Sequence, residues 1–245
     1  VKDLTISQLS KIKCMNGIAK EQKIELTKEE EQIAEAAAKE YYESLSKEER
    51  KYMGASQSLI TKMYSEYLLA SKVYQSLIGS VDEEVSDDEA RVMEAQQIYV
   101  KDQNRAGEVA SRLANGEDFR TVAADYNEAA QIDITFGRDE MPKEVEDIAF
   151  NLNDDEISGS IATEDGYYFI KCINKFNQEL TDANKVKIVK KREKEAFNDE
   201  YDAFVADLSS SLNEKVWDEL ELKTDGTITT NSFFEVLDKY YQLEE

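Results

Sequence analysis

The stretch Val92-Met93-Glu94-Ala95-Gln96-Gln97-Ile98-Tyr99-Val100 is where the texture of this sequence changes. Its β-branched and aromatic residues read as a strand. Everything upstream, from Asp3 to Gly79, reads as helix. Thr27 with Glu30, and Ser46 with Glu49, are capping boxes in which side chain and backbone satisfy one another at a helix start. Apolar stripes at three- and four-residue steps follow: Leu9, Ile12, Met15 and Ile18; then Ile33, Ala37, Tyr41 and Leu45; then Met63, Tyr67, Ala70, Tyr74 and Leu77, closed by Gly79. Val81 to Asp88 is an acidic hinge.

Downstream of the strand the pattern is mixed. Helices are predicted on Ala106 to Leu113, broken at Asn115-Gly116, and on Phe119 to Tyr126. A short strand covers Ile132 to Phe136, and Pro142 sits where a helix begins. Ile157 to Thr163, a turn at Asp165-Gly166 and Tyr167 to Ile173 read as a closing hairpin. From Leu180 helix returns, with Val189, Phe197, Tyr201, Phe204, Val205, Leu208 and Leu212 on one long charged helix. An Asp225-Gly226 turn and an aromatic last helix through Phe233, Phe234, Val236, Leu237 and Tyr240 follow. A helix that long needs a partner, and the N-terminal stripes cannot be buried within their own segments. The expected class is therefore α+β: a helical domain built from both chain ends (1–88 and 178–245) with an inserted α/β domain at 89–177.

Composition narrows the chemistry. The 245 residues carry 53 acidic and 30 basic side chains, a formal net charge of −23, which repels phosphate backbones and excludes nucleic acid as a natural partner. No histidine occurs, so the usual general base, the Ser-His and Cys-His pairs and the commonest zinc ligand are missing together. Cys14 and Cys172 lack CxxC spacing and read as small apolar residues. Asp154-Asp155-Glu156 lacks the spacing of a calcium loop and reads as a turn. Neither a metal nor a cofactor is expected. The longest uncharged runs are nine residues, far below the about 20 that span a bilayer, so no membrane span is expected in this chain. It begins at Val1, without an initiator methionine or an apolar leader, so a signal or lipid anchor would belong to a precursor.

The order Gln97-Ile98-Tyr99-Val100-Lys101, Leu113-Ala114-Asn115-Gly116-Glu117-Asp118-Phe119, Met141 to Phe150 and Gly166-Tyr167-Tyr168-Phe169-Ile170 resembles the parvulin (PpiC-type) peptidyl-prolyl isomerase family. A parvulin domain inserted between helical ends is similar to the PrsA and SurA class of extracytoplasmic foldases and chaperones. The resemblance implies a proline pocket with Met141, a nearby aromatic at Phe136, and Val145 in place of the pocket phenylalanine. It places Gln97 and Tyr168 where parvulins carry histidines, Ala129 near the usual Cys or Asp, and Asp133 where an apolar pocket residue is expected.

Isomerisation of an X-Pro bond twists a neutral tertiary amide and needs an apolar grip and hydrogen bonds rather than a nucleophile. Gln97 and Tyr168 can donate and accept but cannot rebuild a paired-histidine network, and an acid at Asp133 would weaken the grip. Met141 and Val145 equally fit the core face of a helix, and Tyr168 a strand position with its hydroxyl in water. The expected function is an extracytoplasmic, surface or membrane-attached folding factor that binds unfolded or proline-containing polypeptide with weak or absent isomerase activity. The alternatives are an active isomerase using Gln97 and Tyr168, and an acidic structural adaptor. Helical faces bearing Met and Tyr suit varied clients because they repack.

Overall fold

The computed structural model describes residues 2–208, 212–222 and 226–241. Along the chain run α1 (Lys2–Gln22), α2 (Lys28–Ser44), α3 (Lys47–Met53), α4 (Gln57–Ile78), α5 (Asp87–Ala90), β1 (Met93–Val100), α6 (Gln103–Ala114), α7 (Phe119–Tyr126) and β2 (Asp133–Phe136). Then follow α8 (Lys143–Ala149), β3 (Ile161–Ala162), β4 (Tyr167–Asn174), α9 (Gln178–Ala206), α10 (Glu214–Glu219) and α11 (Phe233–Asp238). The chain divides into two compact units, one assembled from Val1–Val81 with Glu193–Glu245, the other Asp82–Arg192. The class is α+β, with a helical unit drawn from both ends and an inserted unit containing the sheet.

In the helical unit the capping boxes form as their sequence dictates. Thr27 Oγ1 accepts from Glu30 N while Glu30 Oε2 accepts from Thr27 N, and Ser46 and Glu49 repeat the exchange at α3. Two apolar cores share α4. One joins Ala34, Ala37, Ala38, Tyr41 and Leu45 to Ile60, Tyr64 and Leu68, and is closed by Val236 and Leu237 of α11. The other joins Met15, Ile18 and Ala19 of α1 to Ala70 and Val73, with Phe197 of α9. Because α4 packs against α1 and α2, its burial is wider than one stripe. Ile60, Tyr64, Leu68 and Val73 are buried, whereas Met63 of the predicted stripe is exposed and Tyr67 and Tyr74 are half-buried.

The inserted unit is a four-stranded antiparallel sheet in the order β2-β1-β4-β3. Strand periodicity sorts its side chains to two faces. Ile98, Val100 and Phe169 pack under α6 and α7 against Val109, Phe119 and Val122. Met93, Ala95, Ile170 and Cys172 pack on the other face against Val145, Ala149 and Phe150. Each large apolar side chain fully buried this way contributes about 1.5–3 kcal/mol.

Three expectations are revised in detail. The strand predicted over Ile157 to Thr163 is reduced to Ile161–Ala162 and a single bridge from Ile157 to Lys171. Between them Ser158 Oγ accepts the Ile170 N–H at 2.8 Å, so a side chain takes part of the ladder's role. The long C-terminal helix ends at Ala206, short of Leu208 and Leu212. The inserted unit extends beyond 89–177 at both ends because α9 is tied to the segment before β1. Buried Thr181 Oγ1 accepts from Val92 N at 3.1 Å, and Arg192 Nη1 donates to the carbonyls of Asp82 and Glu84 at 2.6 and 3.0 Å. Of the predicted Asp225-Gly226 turn, Asp225 lies outside the described residues and Gly226 has φ of 80°.

Candidate functional site

The α8 face of the sheet carries an apolar cluster. Phe136 and Val145 are buried in it, Phe150 lies edge-on to Phe136 with ring centres 5.5 Å apart, and Ile134, Met141 and Tyr168 pack against its margin. Pro142, with its fixed φ, precedes the first turn of α8 and sets where Met141 leaves the loop. Glu146, one turn into α8, reaches back with Oε1 to accept from both Glu140 N and Met141 N at 2.9 Å. The loop bearing Met141 is thereby tied to the helix bearing Val145.

Gln97 lies on β1 opposite Ile170 and is nearly buried. Its Nε2 donates to Gln131 O at 3.0 Å, and Asn127 Nδ2 donates to the same carbonyl at 3.1 Å. Asn127 Oδ1 also accepts from Tyr99 N at 2.9 Å, so the loop from 127 to 131, including Ala129, is stitched to the side of β1. Tyr168 lies opposite Tyr99, two positions further along the ladder than Gln97, and the two tyrosine rings sit 4.7 Å apart. The Tyr99 hydroxyl donates to Asp165 O at 2.6 Å and anchors the turn before β4. Gly166 has φ of 153°, and a Cβ there would lie 2.7 Å from Val100 O, so the turn leaves no room for a side chain. Burial first, then the neighbouring Tyr99 and Asp165, pushes the Tyr168 phenol above its ordinary pKa. Tyr168 is a neutral hydrogen-bonding group throughout the physiological range.

Gln97, Tyr168, Phe136, Met141 and Val145 thus share one face of the sheet. Asp133 does not. It pairs with Gln96 in the β1–β2 register, which turns its side chain to the opposite face, where Arg120 of α7 holds it in a two-point ion pair at 2.6 and 3.0 Å. The Arg120 guanidinium, and after it the Gln96 amide, keep its carboxyl below the ordinary aspartate range. Ile134 packs against the cluster instead, so the acid expected in the apolar grip is not part of it. The alternation read over Ile132 to Phe136 contained this signal, since residues two apart share a face. Asn127 and Ser158, and the hydroxyl of Tyr99, act through hydrogen bonds between segments distant in sequence that no local pattern encodes, while Glu146 ties back a loop five and six residues before it.

Comparison with known proteins places this geometry. Residues 72–188 match the PPIC-type PPIASE domain. The inserted unit is a parvulin (PpiC-type) domain. About 70% of the chain is similar to foldase PrsA proteins. It is 30% identical over 178 residues to the foldase protein PrsA of Caldanaerobacter subterraneus subsp. tengcongensis, covering 70% of this chain and 56% of that protein. It is 28% identical over 200 residues to the foldase protein PrsA of Clostridium acetobutylicum, covering 69% and 59%. The chain therefore spans less than two thirds of the length of these relatives. A crystal structure of the peptidylprolyl isomerase PrsA from Bacillus cereus aligns over 88% of this chain and 89% of its own at 20% identity, with a TM-score of 0.48. In this parvulin-type domain the two strand positions beside the apolar cluster hold an amide and a phenol in a chain without histidine.

The helical unit has a concavity of its own. A groove of about 810 Å³ runs between α1 and α4, lined by Ile12, Met15, Tyr67 and Tyr74, with Phe234 and Tyr241 beyond α4. Lys11 is the charged residue of its lining. Among the described residues no cluster of His, Cys, Asp or Glu could hold a metal ion, and no helix is long and apolar enough to cross a membrane.

Proposed function

We propose that this chain is a protein-folding factor whose helical unit holds unfolded polypeptide while its parvulin-type domain supplies a second binding surface with weak or absent prolyl isomerase activity. The observation that carries the reading is the condition of Gln97: it is buried, and one of its two amide N–H donors holds Gln131 O, which fixes the side chain against the 127–131 loop and leaves it one donor in place of a histidine of a coupled pair. Tyr168 alone cannot replace two coupled groups. Over the buried Phe136 and Val145, the half-buried Ile134, Met141 and Tyr168 give this face an apolar margin of the kind a proline ring packs against. The groove of the helical unit, with Met15 and four aromatic residues, suits apolar client segments. Extracytoplasmic placement at a cell surface or membrane, with a lipid anchor supplied by a precursor, belongs to this proposal and rests on the likeness to foldase proteins.

The test runs two assays on the same preparation. Suppression of aggregation of an unfolded client is expected near stoichiometric ratios, with proline isomerisation in a short peptide close to its spontaneous rate. Rapid isomerisation without suppression would overturn the reading.

The half-buried Tyr168 at the margin of this apolar cluster favours a second reading, an active isomerase using Tyr168. Under it, Tyr168→Phe lowers the rate about tenfold to a hundredfold, the scale of one hydrogen bond in a dry pocket. The rate would also be flat between about pH 5.5 and 7.5, because no imidazole titrates. Under the binding reading the same substitution leaves client affinity unchanged, since the ring and its packing survive.

A further inference from the structure

The chain's own C-terminal segment shows what the apolar surface of the helical unit accepts. Tyr41, Ile60, Tyr64 and Leu68 form a face on α2 and α4, and α11 covers it with Phe233, Val236 and Leu237. These anchors fall at i, i+3 and i+4, the spacing of one helical face laid into a groove. The Phe233 ring lies 5.2 Å from Tyr41, edge-on, and 4.3 Å from Tyr64. The Tyr64 hydroxyl donates to Phe233 O at 2.7 Å. Just upstream, the buried Glu49 carboxylate accepts from Thr229 N and Thr230 N at 3.0 and 2.9 Å while still capping α3 at Ser46. A residue read from sequence as a local helix cap is also the latch of a segment 180 positions away.

The neighbouring Phe234 turns away from this seat. It is 51% exposed, its ring is 5.2 Å from Tyr67, and with Tyr67 and Tyr241 it lines the groove described above, alongside Ile12, Met15 and Tyr74. The filled seat and the open groove lie side by side along α4. One half of a continuous apolar surface is occupied by the chain's own turn, and the other half is open.

We propose that residues 229–241 are an in-cis occupant that reports the client chemistry of the open half: a short apolar turn with an aromatic anchor followed three and four residues later by aliphatic ones, seated against Phe234 and Tyr67. This rests on the reading that the helical unit binds unfolded polypeptide. The resident segment carries Glu235, Asp238 and Lys239, so charges on the outer side of such a turn are compatible with its burial.

The test uses the full chain and a synthetic peptide of residues 229–241, fluorescently labelled and carrying a benzophenone in place of the ring of Phe233. A scrambled peptide of the same composition and a reduced, carboxymethylated unfolded protein serve as comparisons. The expected result is at least tenfold tighter binding of the native-order peptide than of the scramble, competition by the unfolded protein, and crosslinks to Ile12, Met15 or Tyr74. Ser71→Trp, which fills the groove from its α4 wall, should weaken the peptide at least tenfold without lowering the melting temperature. Ile12→Glu is the second variant should the tryptophan perturb folding. Binding of the unfolded protein with no preference for the peptide over its scramble overturns this inference and leaves the proposed function standing. Crosslinks at Tyr41 or Ile60 also overturn it, because they mark exchange with the resident segment rather than occupation of the open half. Failure of the chain to bind any of the three removes the proposed function and this inference together.

Discussion

At the scale of single residues, the apolar cores are joined by buried polar atoms satisfied at long sequence range. Tyr64 is fully buried, and its hydroxyl donates to Phe233 O across 169 positions. Tyr64→Phe keeps the ring and removes that donor, leaving a carbonyl in an apolar seat. The expected loss is about 1–3 kcal/mol, the cost of stranding a buried acceptor, read as a shift in the chemical denaturation midpoint. Cys172 makes a different case. Burial first, then Asp154, pushes its thiol up to about 11. A thiol with a raised native pKa stabilises the fold below its unfolded value, and that contribution is lost as pH rises past it. Cys172 is expected to resist thiol-specific reagents at pH 8 in the folded chain and to react on unfolding, while the half-buried Cys14 reacts first. Mass spectrometry of the labelled peptides checks this, and prompt native labelling at Cys172 would contradict its packing. Both cysteines were legible from the sequence as apolar, unpaired residues. The Tyr64 and Glu49 contacts were not, because nothing local distinguishes a tyrosine or a capping glutamate that has a distant partner from one that has none.

At the scale of elements, periodicity was informative wherever one face of an element is buried, and misleading where two are. The capping boxes at Thr27 and Ser46, the strand over Met93–Val100 and the start of α8 after Pro142 follow directly from local chemistry. For α4, packed against both α1 and α2, one stripe could not describe the burial, and the residues read as its core face, Tyr67 and Tyr74, instead line the groove. Asp133 shows the cost of aligning by family order without the period-two test, which sends it to Arg120 on the far face. The latch at α3 makes a prediction at this scale. Backbone donors from Ser46, then Thr230 and Thr229, hold the Glu49 carboxyl far below the usual range. A lowered native pKa stabilises the fold above the ordinary carboxylate value, and the benefit is lost as pH falls through it. Glu49→Gln is therefore expected to melt below the parent chain at pH 7, with the difference narrowing progressively below about pH 4.5. A gap that stays constant down to acid pH would show that the charge on Glu49 contributes nothing to the latch.

At the scale of the whole molecule, the division into two units was legible, but its boundary was not. A reading of texture puts the inserted domain at 89–177, where strand and mixed pattern give way to helix. The contacts put it at Asp82–Arg192, because the first turns of α9 belong to the sheet-bearing unit although their sequence looks like the helix that follows. Three ties make the difference. Val92 N donates to Thr181 Oγ1 in a fully buried site, Asn184 Nδ2 donates to Ala90 O at 3.0 Å, and Arg192 clamps the carbonyls of Asp82 and Glu84 while pairing with Glu89 at 2.6 Å. The exposed ion pair of this set contributes little by itself. The buried Val92–Thr181 bond is the decisive one, because a fragment ending at 177 leaves that backbone donor without its acceptor, at a cost of about 1–3 kcal/mol. The 82–192 fragment is expected to unfold in one cooperative transition, and the 89–177 fragment to melt lower by roughly 4 °C or more for a domain of this size. Thr181→Val in the longer fragment, which conserves shape and removes the hydroxyl acceptor, should reproduce most of that difference. Equal melting of the two fragments, or a silent Thr181→Val, would show that the α9 turns merely lie alongside the sheet unit and that its boundary belongs at 177.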